Sequence, residues 1–416
     1  MKLDEIDLTD LELFLHGDPY EAWRVLRREA PVYWHARKPE RAFWAITRYE
    51  DALRVYHDPG TFSSARGIAM NMIGLPDNPA SGMGQMMIMC DPPRHGQMRA
   101  LINRRLTPRA ILPYDPHIRR IAAELVDSVI ERGECDFVVD VAATLPTAVI
   151  CEMMGIGREH WDLMFALGNM SIGTDDPEYQ QGRSAQETGQ QAQAEVFAYF
   201  TRVVEERHKN PGDDLISALI HNEIDGAHLT DLEVILNCWL LILGGQETTR
   251  NATSGGLLAL IQNPEQMARL KADTSLTPTA IEEFLRWSSP ITHIMRVASR
   301  EVEFRGQKIR KSDPVVIWNA SANRDEDVFI EPDRFDITRT PNDHLAFGHG
   351  EHFCIGANLA RLELRIMVDE VIRRMEGIEL AGPVEKLRSN FVAGIKHMPI
   401  RFRRSKPEAG STRRAA

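Results

Sequence analysis

One helix dictates most of what this chain can become. Apolar residues from about 229 to 260 recur at helical spacing, with Thr230 and Glu233 in capping-box positions at the start. In its middle, at NCWLLILGGQETTR (237–250), two glycines, a carboxylate and two threonines interrupt the most hydrophobic part of the run. Glycine in a helix interior costs about 1 kcal/mol relative to alanine, and a carboxyl buried without a partner costs more. A helix this long and apolar must be surrounded by packed chain. The fold is therefore a large body built around it, and the polar insert needs a reason other than packing.

The rest of the sequence can supply that body: its 416 residues are 43% hydrophobic and 26% charged. Length alone predicts two or three domains, but no repeat or linker divides the chain. Stretches 31–34 and 41–46 predict a β-hairpin, followed by a helix that stops at Asp58-Pro59-Gly60. Residues 66–90 are rich in Met, Gly and Pro and lack periodicity, a kind of segment that is either functional or mobile. Helical spacing returns from 94 to 131 and continues with interruptions to about 222, with 171–193 a polar loop leading into a surface helix. Helices at 263–271 and 278–287, short strands over 291–318, a helix over 357–375 and a strand pair near 391–403 complete the expectation. The predicted fold is one mainly α domain with small β-sheets over 1–404, then a disordered tail, SKPEAGSTRRAA, over 405–416.

Several function classes recede on composition. A net charge of −11 argues against nucleic acid as the main partner. The five cysteines, Cys90, Cys135, Cys151, Cys238 and Cys354, are scattered and form no C-x-x-C pair, so neither a zinc knuckle nor a redox dithiol is indicated. Few, unpaired cysteines predict a reducing, cytoplasmic setting. The acidic N-terminus lacks a signal pattern, and no window offers the roughly 18 apolar residues of a membrane anchor.

Residues 346–365, AFGHGEHFCIGANLARLELR, place Gly348, Gly350 and Gly356 around a single cysteine just ahead of an amphipathic helix. Gly-rich turns can aim several N–H groups at one sulfur, and a helix N-terminus adds positive potential; both favour a thiolate. Taken alone, the same residues also fit a small buried cysteine filling a gap. The full pattern, F-G-x-G-x-H-x-C-x-G followed by A-x-x-L-A-R, resembles the cysteine-ligand loop of the cytochrome P450 family. Phe347, Gly348, Gly350, His352, Cys354, Gly356, Leu359, Ala360 and Arg361 carry the match. The resemblance implies the single-domain P450 fold and haem b, with Phe347 beside the cofactor and Cys354 as axial ligand to its iron. It also implies that Glu283 and Arg286 of EEFLRW join Arg334 of PDRF in a buried structural network. Four groups match the family's propionate partners: His95 and Arg99 at i,i+4 in DPPRHGQMR, Arg296 in PITHIMR, and His352.

On the long helix, Gly244-Gly245-Gln246-Glu247-Thr248 resembles the family's oxygen-activating motif. The resemblance implies that both glycines let the backbone pass close to the haem face at a helix kink, Thr248 hydrogen-bonds the activated oxygen, and Glu247 relays protons from solvent. By family position the substrate wall comprises Ile68, Ile88, Leu240, Leu243, Gly244, Thr292, Ile294 and Val392. Period-2 alternation puts Thr292 and Ile294 on the face of Arg296 and leaves His293 a structural role. The methionines at 70, 72, 83, 86, 87 and 89 suggest either ordinary packing or an adaptable lid.

The implied activity is a monooxygenase that uses O2 to hydroxylate a hydrophobic small molecule such as a steroid, terpenoid or natural-product intermediate. Oxidative coupling, desaturation or ring closure would use the same chemistry, and a non-catalytic haem binder or sensor is the alternative of another class. Implied electron donors are a ferredoxin and a ferredoxin reductase serving a monomer. The acid-free basic stretch of Arg94, Arg99, Arg104, Arg105 and Arg109 is the expected docking site.

Overall fold

The structure, a computed structural model, describes residues 1–75 and 82–405. The helix Asp231–Gln262 runs unbroken for 32 residues through the body, and its N-terminus is closed as the sequence predicts. Thr230 accepts the Glu233 N–H at 3.3 Å, while the Glu233 carboxylate accepts the Thr230 N–H at 2.9 Å. Its apolar first half lies in the largest core, with Thr144–Met153, Trp161–Ile172 and Ala185–Lys209 packed against it. Its second half meets Thr277–Ser288 and Ala357–Arg374 in a smaller core that includes Leu260, Phe284 and Leu364.

A five-stranded mixed sheet flanks the helices in the order Val32–His35, Phe43–Ile46, Pro314–Ile317, Ile294–Ala298, Phe62–Ser63. The predicted hairpin forms its edge, in register Val32↔Ile46. The predicted pair near 391–403 becomes two separate strands. Ile395–His397 pairs with Glu385–Lys386, and Pro399–Arg404 lies between Glu134–Asp136 and Met375–Leu380. Only Met398 separates the two, too little chain to turn back, so each takes a distant partner. The expected loop over 171–193 contains a one-turn helix, Pro177–Gln180, and the start of Ala185–Lys209 behind a Ser184/Glu187 capping box.

Behind the site, Glu283 and Arg286 form a fully buried bidentate pair at 2.8 Å. The third member is Arg339, whose Nε reaches Glu283 at 3.2 Å. This corrects the expectation for Arg334, whose side chain is exposed on Glu331 and which gives the network only its carbonyl. In that turn Phe335 takes the inward position and Arg334 points out. Of the expected tail, Ser405 still donates its N–H to the Arg374 carbonyl, and 406–416 lie outside the described residues.

Candidate functional site

The cysteine loop is folded by glycine. Gly350 has φ +69°, and a Cβ there would sit 2.7 Å from the Tyr56 carbonyl, so no other residue fits. The Cys354 N–H donates to the Phe347 carbonyl at 2.9 Å, which closes the loop just before the helix Ala357–Arg374. The sulfur accepts one loop N–H, from Gly356. Sequence reasoning expected several, but the N–H groups of Gly348, Phe353 and Ala357 go to backbone carbonyls instead. Burial pushes the Cys354 thiol up, against the pull of the Gly356 N–H and the Arg99 and Arg361 guanidinium groups. Phe347 packs on Phe353 and beneath the Arg361 guanidinium.

The four groups expected at the propionates come together. The His95 and His352 ring centres lie 3.9 Å apart at a tilt of 31°, and His352 Nε2 lies 3.2 Å from Ser64 Oγ. Arg296 is 4% exposed; it donates to the Met295 carbonyl and lies over the Tyr56 ring. Burial and the neighbouring Arg99 and Arg296 charges hold His95 down at about 4, with Asp91 opposing. Burial, Arg296, His95 and Arg99 hold His352 at about 2. Among the described residues Asp91 is the one carboxylate acting on this group, and its own bonds go to Ser63 and Ser64. So many cations and imidazoles with so little negative charge leave an electrostatic deficit that two carboxylates would fill. The residues present thus fit haem, with its propionates at this cluster and its iron at Cys354.

On the distal side the two glycines differ. A Cβ at Gly244 would meet nothing within 4 Å, whereas one at Gly245 would press on Ile150 at 2.9 Å. Only Gly244 opens onto free space; Gly245 is small because the helix Thr144–Met153 packs against it, which corrects the shared role expected for the pair. The Thr248 hydroxyl donates to the Gly244 carbonyl at 2.8 Å, on the open face. Glu247 faces the other way, 1% exposed, its Oε2 accepting from Arg250 Nη2 at 2.5 Å. Arg250 in turn donates to Asn169 of the helix Trp161–Ile172. Burial raises the Glu247 pKa, against the Arg250 charge and the nearby Asn251 amide. Sequence reasoning missed Arg250, although its i,i+3 spacing from Glu247 was readable; nothing in the sequence pointed to Asn169.

Ile68 and Leu243 line a cavity of about 350 Å3 together with Met70, Met72, Met86, Met89, Phe197, Trp239 and Phe391. Polar groups of Asn71, Asp175, Gln193 and Asn390 share its wall. Ile88, Leu240 and Ile294 are half-buried and, like the exposed Gly244, lie outside this wall. Two expected wall residues are buried ties. The Thr292 hydroxyl donates to the Asn390 carbonyl, and Val392 is 1% exposed and bridges Ile291. The strand begins at Ile294, so alternation never reached residues 292 and 293. His293 borders the cavity, yet both its nitrogens bond backbone, at Met70 and Asn390, consistent with a structural role.

The basic stretch is largely neutralised. Arg94 pairs with Glu233, Arg105 pairs with Asp213, and Arg104 shares a surface recess with Glu223 and Asp225. Arg109 is exposed and has no ion pair among the described residues. No helix of the described residues is long and apolar enough to cross a membrane.

Residues 181–395 match the family profile described as Cytochrome P450. Cytochrome P450 126 of Mycobacterium tuberculosis is 40% identical over 412 residues, which cover 96% of this chain and 98% of that one. A steroid C26-monooxygenase of Mycolicibacterium smegmatis is 37% identical, with 97% of each chain covered. A Mycobacterium marinum cytochrome P450 solved with pseudoionone superposes at TM-score 0.89 and 34% identity, over 97% of this chain and 99% of that one. The chain belongs to the cytochrome P450 family and is a haem-thiolate monooxygenase.

Proposed function

We propose that residues 1–404 form one haem b unit, a cytoplasmic monomer that hydroxylates steroid- or terpenoid-like molecules with electrons from a ferredoxin and its reductase. The observation that carries this reading is the order of functions along one short stretch of helix. Leu243 is in the cavity wall, Gly244 is on the open face, and the Thr248 hydroxyl sits at the Gly244 carbonyl. A ligand against Leu243 would have next to it, past Gly244, a hydroxyl able to donate a proton, with Glu247 one residue from that hydroxyl.

Haem bound through Cys354 would supply O2 activation. The chain's residues supply the rest: His95, Arg99, Arg296 and His352 hold the propionates, and the apolar wall excludes water from the reacting end. Thr248 holds a proton at Oγ1, and Glu247 resupplies it from the interior. The wall mixes methionines and aromatic rings with a few polar groups, which suits a largely hydrocarbon ligand with one polar end. The steroid named for one relative and the pseudoionone bound by another are of that kind. For the electron donor, exposed Arg109 and Leu112 on the segment before Asp115, with Phe353 beside the ligand cysteine, offer a basic and apolar docking face.

The reduced carbon monoxide complex tests the foundation: a Soret band without the strong red shift of thiolate ligation would remove Cys354 as ligand. A spin-shift screen of steroids and terpenoids, followed by reconstituted turnover of the hits, tests the substrate class. Charge reversal at Arg109 should slow reduction by ferredoxin in a salt-sensitive way; unchanged reduction would exclude that docking face.

A further inference from the structure

The turn that carries Glu247 also holds polar atoms that the packing leaves unsatisfied. Gln246 Oε1 and Arg250 Nε are buried without hydrogen-bond partners. Glu247 Oε1 and Asn251 Nδ2 have none of good geometry, although the Asn251 amide stands close enough to Glu247 to oppose the rise in pKa that burial causes. Buried polar groups are paired as a rule, with ordered water where protein falls short. Four such atoms within six residues, two acceptors and two donors, therefore mark a place built to hold water. Arg250 fixes Glu247 there from one side, anchored by Asn169.

Tyr179, on the one-turn helix Pro177–Gln180, lies against Gly173, one turn on from the Asn169 that anchors Arg250. Its ring lies so close to Gly173 that a Cβ there would come within 2.4 Å of Cδ2. The phenol feels the charges of Arg250 and Glu247 on the inside and of Glu178 and Asp176 on the outside. Beyond it lies a surface cluster. Lys396 bridges Asp176 and Glu178 at 3.0 and 2.8 Å, and His397 bridges Asp136 and Glu178 at 2.6 and 3.2 Å. The Lys396 ammonium stands 5.9 Å from the centre of the Tyr179 ring.

We propose that this stack is the proton intake of the enzyme: Glu178 and His397 collect protons from solvent, Tyr179 passes them to water held at the orphaned atoms, and Glu247 receives them. Tyr179 is a relay in this route, and Arg250 is a positioning residue. The idea rests on the reading of Glu247 as the proton-supplying acid and names the route that reading leaves open.

The test compares Tyr179→Phe, Arg250→Gln, Glu178→Gln and Glu247→Gln holoenzymes with a substrate found by the spin-shift screen. Substrate affinity serves as the control for an intact pocket. Tyr179→Phe should keep that affinity, lower product formed per electron pair by roughly tenfold and raise the solvent isotope effect, a smaller loss than removal of the acid itself. In the resting holoenzyme, pH-difference infrared spectra report the Glu247 carboxyl, identified by its disappearance in Glu247→Gln. Arg250→Gln should raise its titration midpoint by roughly 1–3 units. Glu178→Gln changes no group of the turn that carries Glu247. It removes one of the bonds that keep His397 protonated, so the alkaline limb of the coupling profile should move to lower pH.

If Glu247→Gln couples normally, the acid reading falls and this route falls with it. If Glu247→Gln uncouples while Tyr179→Phe and Glu178→Gln behave as the parent, the route is overturned and the acid reading stands. Should Tyr179→Phe lose substrate affinity, the Glu178→Gln profile decides: an unmoved alkaline limb overturns the route.

Discussion

Single alanine substitutions at Gly244 and Gly245 separate two reasons for a glycine in one helix. Each gains the same intrinsic propensity, about 1 kcal/mol. At Gly244 the added methyl meets nothing within 4 Å, while at Gly245 it falls 2.9, 3.1 and 3.3 Å from three side-chain atoms of Ile150. Crowding of that kind in a packed core costs about 1–3 kcal/mol. Propensity cancels in the comparison, so Gly245→Ala should be the less stable by about 1–3 kcal/mol, with Gly244→Ala at or slightly above the parent. Ile150→Val should recover part of the loss in Gly245→Ala and none in Gly244→Ala, a coupling that a double-mutant cycle isolates. Urea titrations under one set of conditions supply the energies. The functional order reverses: Gly244→Ala puts a methyl beside Thr248 on the open face and should weaken substrate-induced spin shifts, while Gly245→Ala leaves them near the parent. Equal stabilities, or Gly245→Ala as the more stable variant, would refute the assignment of Gly245 to packing against Ile150.

Arg339→Ala should destabilise by about 3 kcal/mol or more, because it strips a buried partner from Glu283, whereas Arg334→Ala should stay within about 0.5 kcal/mol; matching urea midpoints would contradict the network described. Gly350→Ala meets the Tyr56 carbonyl and a left-handed backbone together, so purified protein should carry markedly less haem, measured by the pyridine haemochrome; full loading would show that the loop can shift. Desolvation lowers the His397 pKa, but the bonds to Asp136 and Glu178 outweigh it and hold the imidazole above its usual value. Because the folded value is raised, that stabilisation is complete below about pH 6.5 and fades as pH climbs through the folded pKa. The melting-temperature gap between parent and His397→Gln should therefore be widest near pH 6 and close on the alkaline side; a gap independent of pH would exclude the titration.

What could be read from the sequence was what lies contiguous in it. The cysteine loop and the polar insert of the long helix each compress their chemistry into fewer than twenty residues, so pattern sufficed. The long helix and its capping box followed from periodicity for the same reason. The cavity did not, because Ile68, Phe197, Trp239, Leu243 and Phe391 come from distant segments whose meeting depends on tertiary packing. Thr292 failed for a local reason: alternation was extended past the true start of the strand at Ile294. Arg334 and Arg339 stand five residues apart in one irregular stretch, and which one turns inward is set by the burial of Phe335. The difference between Gly244 and Gly245 is a 100° rotation about a helix axis, invisible until the neighbour carrying Ile150 is in place.

Tyr56 touches both sides of the haem-binding apparatus. Its backbone carbonyl sits where Gly350 passes, its ring lies under Arg296, and its hydroxyl donates to Asn319 Oδ1 at 2.8 Å. It thus works as a gauge block between the cysteine loop and the cluster around Arg296, setting the distance between the two groups that would hold the haem. A change at this one ring would release Arg296 and Asn319 while the Tyr56 carbonyl still faces Gly350, so the two contacts of one residue can be separated.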